Sequence, residues 1–184
     1  MRKHVCPWWF AYTFDNPLRR IFHKPENIFS HYLKEGMTAI DIGCGMGYFS
    51  IGMAKIVGEA GKIISVDLQQ KMLDTLEKRA KEACVSNRIT PVLCDEKDIG
   101  IDEEVDFALV FWMLHETPDE SLLLQQVHSI LKKSGKLLLA EPKLHVSLAS
   151  YKKSLATAKE LGFKVIEEPF IWFSYAAILE KSEH

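Results

Sequence analysis

From position 38 onward the sequence alternates between short apolar runs and longer stretches whose apolar residues recur at helical spacing. That alternation constrains the fold more than any other feature. Strands alternating with helices bury both kinds of element in one way: a mostly parallel sheet with helices on both faces. The apolar runs cover 38–42, 62–66, 89–93, 105–111 and 136–140. Between them the spacing predicts helices over 48–57, 71–83, 119–131 and 147–161, with one more at 25–35. In the 71–83 stretch Met72, Leu73, Leu76, Ala80 and Ala83 fall on one side, as a helix packed on a sheet requires. The run at 105–111 is apolar on both faces, the pattern of a central parallel strand. FKVIEEPFI (163–171) and FSYAAILEK (173–181) finish the chain. They are joined too tightly for a crossover helix, so they pair antiparallel. The expectation is an α/β, doubly wound sheet in a single domain over 1–184, with a core at 25–184 behind an aromatic segment at 1–24.

Composition narrows the function. The chain has 184 residues, 47% of them hydrophobic, and a net charge of −2. It therefore lacks the basic footprint that duplex nucleic acid demands. Cys6, Cys44, Cys84 and Cys94 form no CxxC pair. The spacing fits neither a metal site nor a disulfide framework, so the expectation is reduced thiols in a cytoplasmic protein. No secretory signal is recognisable at the start. The longest apolar stretch, FALVFWML (107–114), is far short of the roughly 20 residues of a membrane span.

The chemistry concentrates at the ends of the apolar runs, where open α/β sheets bind ligands. DIGCGMGYFS (41–50) closes the first run and opens a helix. Its Gly43, Gly45 and Gly47 let backbone N–H groups and a helix N-terminus face a polar ligand. Their spacing is G-x-G-x-G, not the G-x-G-x-x-G that cradles a dinucleotide pyrophosphate. Asp41 would repel a pyrophosphate and attract a cation. Asp67, at the end of the second run, stands where a carboxylate accepts from both hydroxyls of a ribose. Asp95 and Glu96, after the third, can accept from an exocyclic amine such as that of adenine. Together these residues describe a site for adenosine with a cation nearby and no phosphate bridge.

At this point the chain resembles class I S-adenosylmethionine-dependent methyltransferases. The likeness rests on DIGCGMGYFS, ISVDL, CDEKDIG, VDFALVFWMLHE and LKKSGKLLLAE, in that order, across residues 25–181. Within that class it is similar to the small-molecule branch of ubiquinone/menaquinone-biosynthesis and arsenite enzymes. The resemblance implies a Rossmann-like seven-stranded sheet of order 3-2-1-4-5-7-6. It implies S-adenosylmethionine as cofactor: Gly43, Gly45 and Gly47 along its methionine part, Asp41 at its amino end, Asp67 on the ribose, Leu68 on the adenine, Asp95 and Glu96 at the base edge. The arsenite enzymes hold a metalloid with several cysteines, whereas the cysteines here are scattered.

Methyl transfer from a sulfonium is an in-line displacement, so much of the catalysis is placement. A base is needed only when the acceptor must lose a proton. His115, in FWMLHETPDE after the fourth run, is the base candidate. Trp112 and Glu141 face the same rim and are candidates to bind the acceptor. Arg19 and Arg20 offer themselves to a carboxylate or phosphate on the substrate. CPWWFAYTF (6–14), with Trp8, Trp9 and Tyr12, reads as a lid over the acceptor. Its alternative is an apolar contact patch for a homodimer or a membrane surface. Two other readings stay open: a nicotinamide-dependent oxidoreductase, and a non-catalytic module of the same fold.

Overall fold

The computed structural model describes residues 19–182. Its elements are α1 (Arg19–Phe22), α2 (Pro25–Phe29), β1 (Thr38–Ile42), α3 (Tyr48–Ile56), β2 (Lys62–Asp67), α4 (Gln70–Glu82), β3 (Ile89–Leu93), β4 (Val105–Phe111), α5 (Glu120–Ile130), β5 (Leu131–Pro142), α6 (Leu148–Glu160), β6 (Phe163–Glu167) and β7 (Ser174–Lys181). The strands form one seven-stranded sheet of order β3-β2-β1-β4-β5-β7-β6. β1, β2, β3, β4 and β5 run parallel, and β7 runs antiparallel to both neighbours.

The sheet buries both faces because its strands alternate between two cores. On β4, Phe107, Leu109 and Phe111 enter one core while Val105, Ala108 and Val110 enter the other. The first core receives α2, α3 and α4 through Phe29, Phe49, Met53, Leu73 and Leu76. The second receives α5 and α6 through Leu124, Val127, Ile130 and Ala158. Each of the largest side chains buried in this way is stabilised by roughly 1.5–3 kcal/mol relative to exposure.

Three elements differ from the sequence reading. The helix expected at 25–35 ends at Phe29. There the Tyr32 and Leu33 amides both turn back to the Phe29 carbonyl, and the tightened chain drops Leu33 into the core. β5 begins at Leu131 rather than 136. Leu131 is fully buried and pairs with Val105, and the KKSG stretch forms a bulge with Ser134 in the left-handed region (φ 60°). A bulge of this kind lets a strand continue through a turn-like sequence. β6 stops at Glu167, two residues before Pro169, which has no N–H to donate to a ladder.

Candidate active site

The carboxyl ends of β1, β2 and β4 open into a cavity of about 1080 Å³. The glycine loop forms its floor. Gly43, Gly45 and Gly47 all adopt positive φ (71°, 53° and 80°), a backbone that residues with a Cβ rarely take. The loop is fastened to β2, where the Val66 carbonyl accepts from the amides of both Gly43 and Cys44. Space separates the three glycines further. A Cβ on Gly47 would lie 1.9 Å from Leu76 Cδ1, and one on Gly43 would lie 2.9 Å from Met113 Cγ. Nothing lies within 4 Å of a Cβ on Gly45. Gly47 thus serves helix packing, and Gly45 faces the cavity.

Two buried carboxylates stand under the loop. Asp41 accepts a 2.5 Å hydrogen bond from Ser50 Oγ in the first turn of α3. Burial raises its pKa to about 6, opposed by the Ser50 hydrogen bond and the Arg19 charge. Asp67 accepts from the amides of Gly45 through Oδ2 and Gln69 through Oδ1, each at 2.9 Å. Burial raises its pKa too, and these amides hold it down. Each carboxylate oxygen has capacity for a second donor, so Asp67 can shape the loop and still receive a ribose. Leu68, Asp95 and Glu96 line the same cavity. Asp95 is held in a tight turn by reciprocal backbone hydrogen bonds with Asp98.

Across the cavity, Trp112 and Met113 lead into the single turn that carries His115. Trp112 sits at φ 60°, a strained backbone for a bulky residue. Its amide donates to the Ala140 carbonyl and its Nε1 to Ser174 Oγ, both at 2.8 Å. The buried His23 ring stands edge-on to it, 5.1 Å away, and is itself fixed at 2.8 Å to the Trp172 carbonyl. His115 Nδ1 lies 2.6 Å from Glu141 Oε2, and Glu141 Oε1 accepts from the Leu114 amide at 3.1 Å. A carboxylate is acceptor-only, so Nδ1 carries the proton and the lone pair of neutral His115 is at Nε2.

The structure brings together Asp41, Gly43, Gly45, Asp67, Leu68, Asp95, Glu96, Trp112, His115 and Arg19 around one cavity, and turns Gly47 away from it onto Leu76 of α4. Glu141 moves behind the wall: it is 1% exposed and holds His115 rather than facing a substrate. Arg20 lies in α1. Trp8, Trp9, Tyr12 and the proposed lid lie outside the described residues. Cys44 and Cys94 line the cavity, and Cys84 is exposed. Among the described residues no group of three metal-ligating side chains converges, and burial pushes the Cys44 thiol well up. The sequence reading passed over Ser50, His23 and Ser174. Only Ser50 carries a local signal, a small polar residue one helical turn into α3 beneath the loop.

This fold and floor define the class, that of Rossmann-like methyltransferases. The methyltransferase-domain family model matches residues 33–181, and the chain belongs to that family. Demethylmenaquinone methyltransferase of Lactobacillus johnsonii is 29% identical over 165 residues, covering 85% of this chain and 66% of that protein. The 2-phytyl-1,4-naphtoquinone methyltransferase of Nostoc is 28% identical over 109 residues, 59% of this chain and 48% of the relative. The chain thus spans about half to two thirds the length of these relatives. A SAM-dependent methyltransferase from Aquifex aeolicus superposes with a TM-score of 0.86 at 21% identity, over 96% of this chain and 100% of that one. S-adenosylmethionine is the cofactor this family membership implies, and the glycine floor with its two carboxylates fits it. Family membership sets aside the nicotinamide oxidoreductase. No helix among the described residues is long and apolar enough to cross a membrane.

Proposed function

We propose that the protein transfers a methyl group from S-adenosylmethionine to a small apolar ring compound, of the kind named in the quinone-biosynthesis relatives. The observation that carries this reading is the convergence of the glycine loop, Asp67 and His115 on one cavity. Gly43 and Gly45 line the methionine part of the cofactor, Asp41 faces its ammonium, and Asp67 takes the ribose hydroxyls. Leu68 covers the adenine, with Asp95 and Glu96 at its edge. When bound, the cofactor supplies a sulfonium methyl already activated for displacement.

The chain's own work is then orientation and proton removal. Trp112, Met113 and Phe173 wall the acceptor end of the cavity, and aromatic faces suit a flat ring. Glu141 holds the His115 ring and fixes its tautomer, so Nε2 can take a proton from an acidic acceptor as the new bond forms. The acceptor is a small molecule and not nucleic acid, and the protein works in the cytoplasm, as a monomer or a homodimer.

The test is transfer of labelled methyl to a panel of hydroxylated naphthalenes and benzenes, demethylated naphthoquinols among them. His115→Ala is expected to lower kcat roughly 100-fold or more while leaving cofactor affinity intact. Unchanged transfer across pH in the folded variant removes His115 as the base.

A further inference from the structure

The end of β5 sets two imidazoles against the cavity, and the reaction as described uses only one of them. Glu141 holds His115 from behind at 2.6 Å. The chain then leaves the strand at Pro142 and turns. The Pro142 carbonyl accepts from the amides of His145 at 3.1 Å and Val146 at 2.9 Å. The Lys143 amide donates to the Phe173 carbonyl at 2.9 Å, and Val146 is buried in the second core. The turn is tied down on both sides, so a fixed backbone carries His145 into the cavity lining with Leu144 and Phe173. Its ring nitrogens meet no hydrogen-bond partner among the described residues. A neutral imidazole has one N–H to give and one lone pair to receive.

The His115 and His145 ring centres lie 6.1 Å apart, with their planes at 59°. That spacing decides what fits between them. A flat ring sandwiched by two others needs parallel planes and roughly 7–8 Å, at a contact of about 3.5–4 Å on each face. A metal ion needs more than two protein ligands, and no group of three converges among the described residues. A single oxygen fits: bonded at about 2.8 Å to a nitrogen of each ring, it lies roughly 4 Å from both ring centres. The 6.1 Å separation then subtends an angle close to tetrahedral at that oxygen, which suits a hydroxyl that gives a proton on one side and accepts one bond on the other. Resting on the acceptor and base assigned above, we propose that His145 binds the acceptor's acidic hydroxyl, donating an N–H to the oxygen whose proton His115 takes. As that proton moves to His115, its bonding pair stays on the oxygen, and the donated hydrogen bond stabilises the charge that develops there. His145 thereby makes the site selective for hydroxylated rings over apolar rings of the same size.

The test compares two probes by calorimetry: 1-naphthol and 1-methylnaphthalene. They match in shape and differ in a hydroxyl against a methyl. The protein is first saturated with S-adenosylhomocysteine, the demethylated cofactor, so that neither probe lodges at the glycine loop. The wild-type protein is expected to bind 1-naphthol roughly 3- to 10-fold more tightly, the range of one hydrogen bond. In His145→Phe that preference is expected to collapse, with affinity for 1-methylnaphthalene retained. His145→Gln, which keeps an N–H donor, is expected to hold part of it. Equal wild-type affinity for the two probes overturns the proposal. So does a His145→Phe protein of unchanged melting temperature that keeps its preference or loses both probes alike. A wild-type protein that binds neither probe overturns the ring-acceptor reading itself.

Discussion

At the residue scale the site is governed by what burial does to two carboxylates. Asp41 has a folded pKa of about 6 against an ordinary value of 3.8. Between those values the folded protein holds a proton that the unfolded chain has lost. The unfolded state binds fewer protons there, so stability falls as pH rises through the window and is level above it. The loss is about 3 kcal/mol at the standard conversion. In the ligand-free protein, urea unfolding from pH 4 to 7 should show this decline, and Asp41→Asn should remove that part of it. Cofactor binding should run the other way. The ammonium prefers the ionised carboxylate, so affinity should tighten as pH rises through about 6 and binding below that pH should release a proton. Calorimetry in buffers of different ionisation enthalpy reads that release directly. The Asp41→Asn protein should show neither effect.

At the element scale, the loop between β1 and α3 does two jobs with one composition. Gly47 packs on α4, where a Cβ would meet Leu76. Gly47→Ala should therefore cost about 1–3 kcal/mol by overpacking, with a left-handed backbone penalty of roughly 1–2 kcal/mol added. Gly45→Ala meets only open space. It should cost the fold only the left-handed penalty, yet weaken cofactor binding by intruding on the cavity. Denaturant midpoints set beside cofactor affinities separate the two, and equal profiles would remove the division of labour. The boundaries of the elements follow the same logic. Gly47 and the alternation on β1 and β4 are visible in the sequence because they follow from local rules. The early end of α2 and the long β5 are not, because Leu33 and Leu131 adopt their places for burial, and tertiary burial overrides helix spacing and turn-like composition.

At the scale of the whole molecule, the cavity joins distant parts of the fold, so a ligand there stabilises everything that surrounds it. S-adenosylmethionine at 100 times its Kd should add about 2.7 kcal/mol. For a domain of this length that corresponds to a rise in melting temperature of roughly 5–10 °C. NAD should give no shift. A thermal scan with each compound checks both, and stabilisation by NAD alone would contradict the cofactor assignment.

The sequence by itself determined the doubly wound architecture, the glycine floor, Asp67 after β2 and His115 after β4. Each of these depends on periodicity, backbone freedom or position at a strand end, which are properties of a few neighbouring residues. Tertiary structure alone decided which partners these residues meet. Glu141 lies 26 positions from His115, Ser174 lies 62 from Trp112, and Trp172 lies 149 from His23. No local pattern links residues so far apart in the chain. Only tertiary packing, which sets β5 beside β4 and β7 beside β5, turns Glu141 from a rim residue into the support behind His115 and brings Arg19 to the glycine loop.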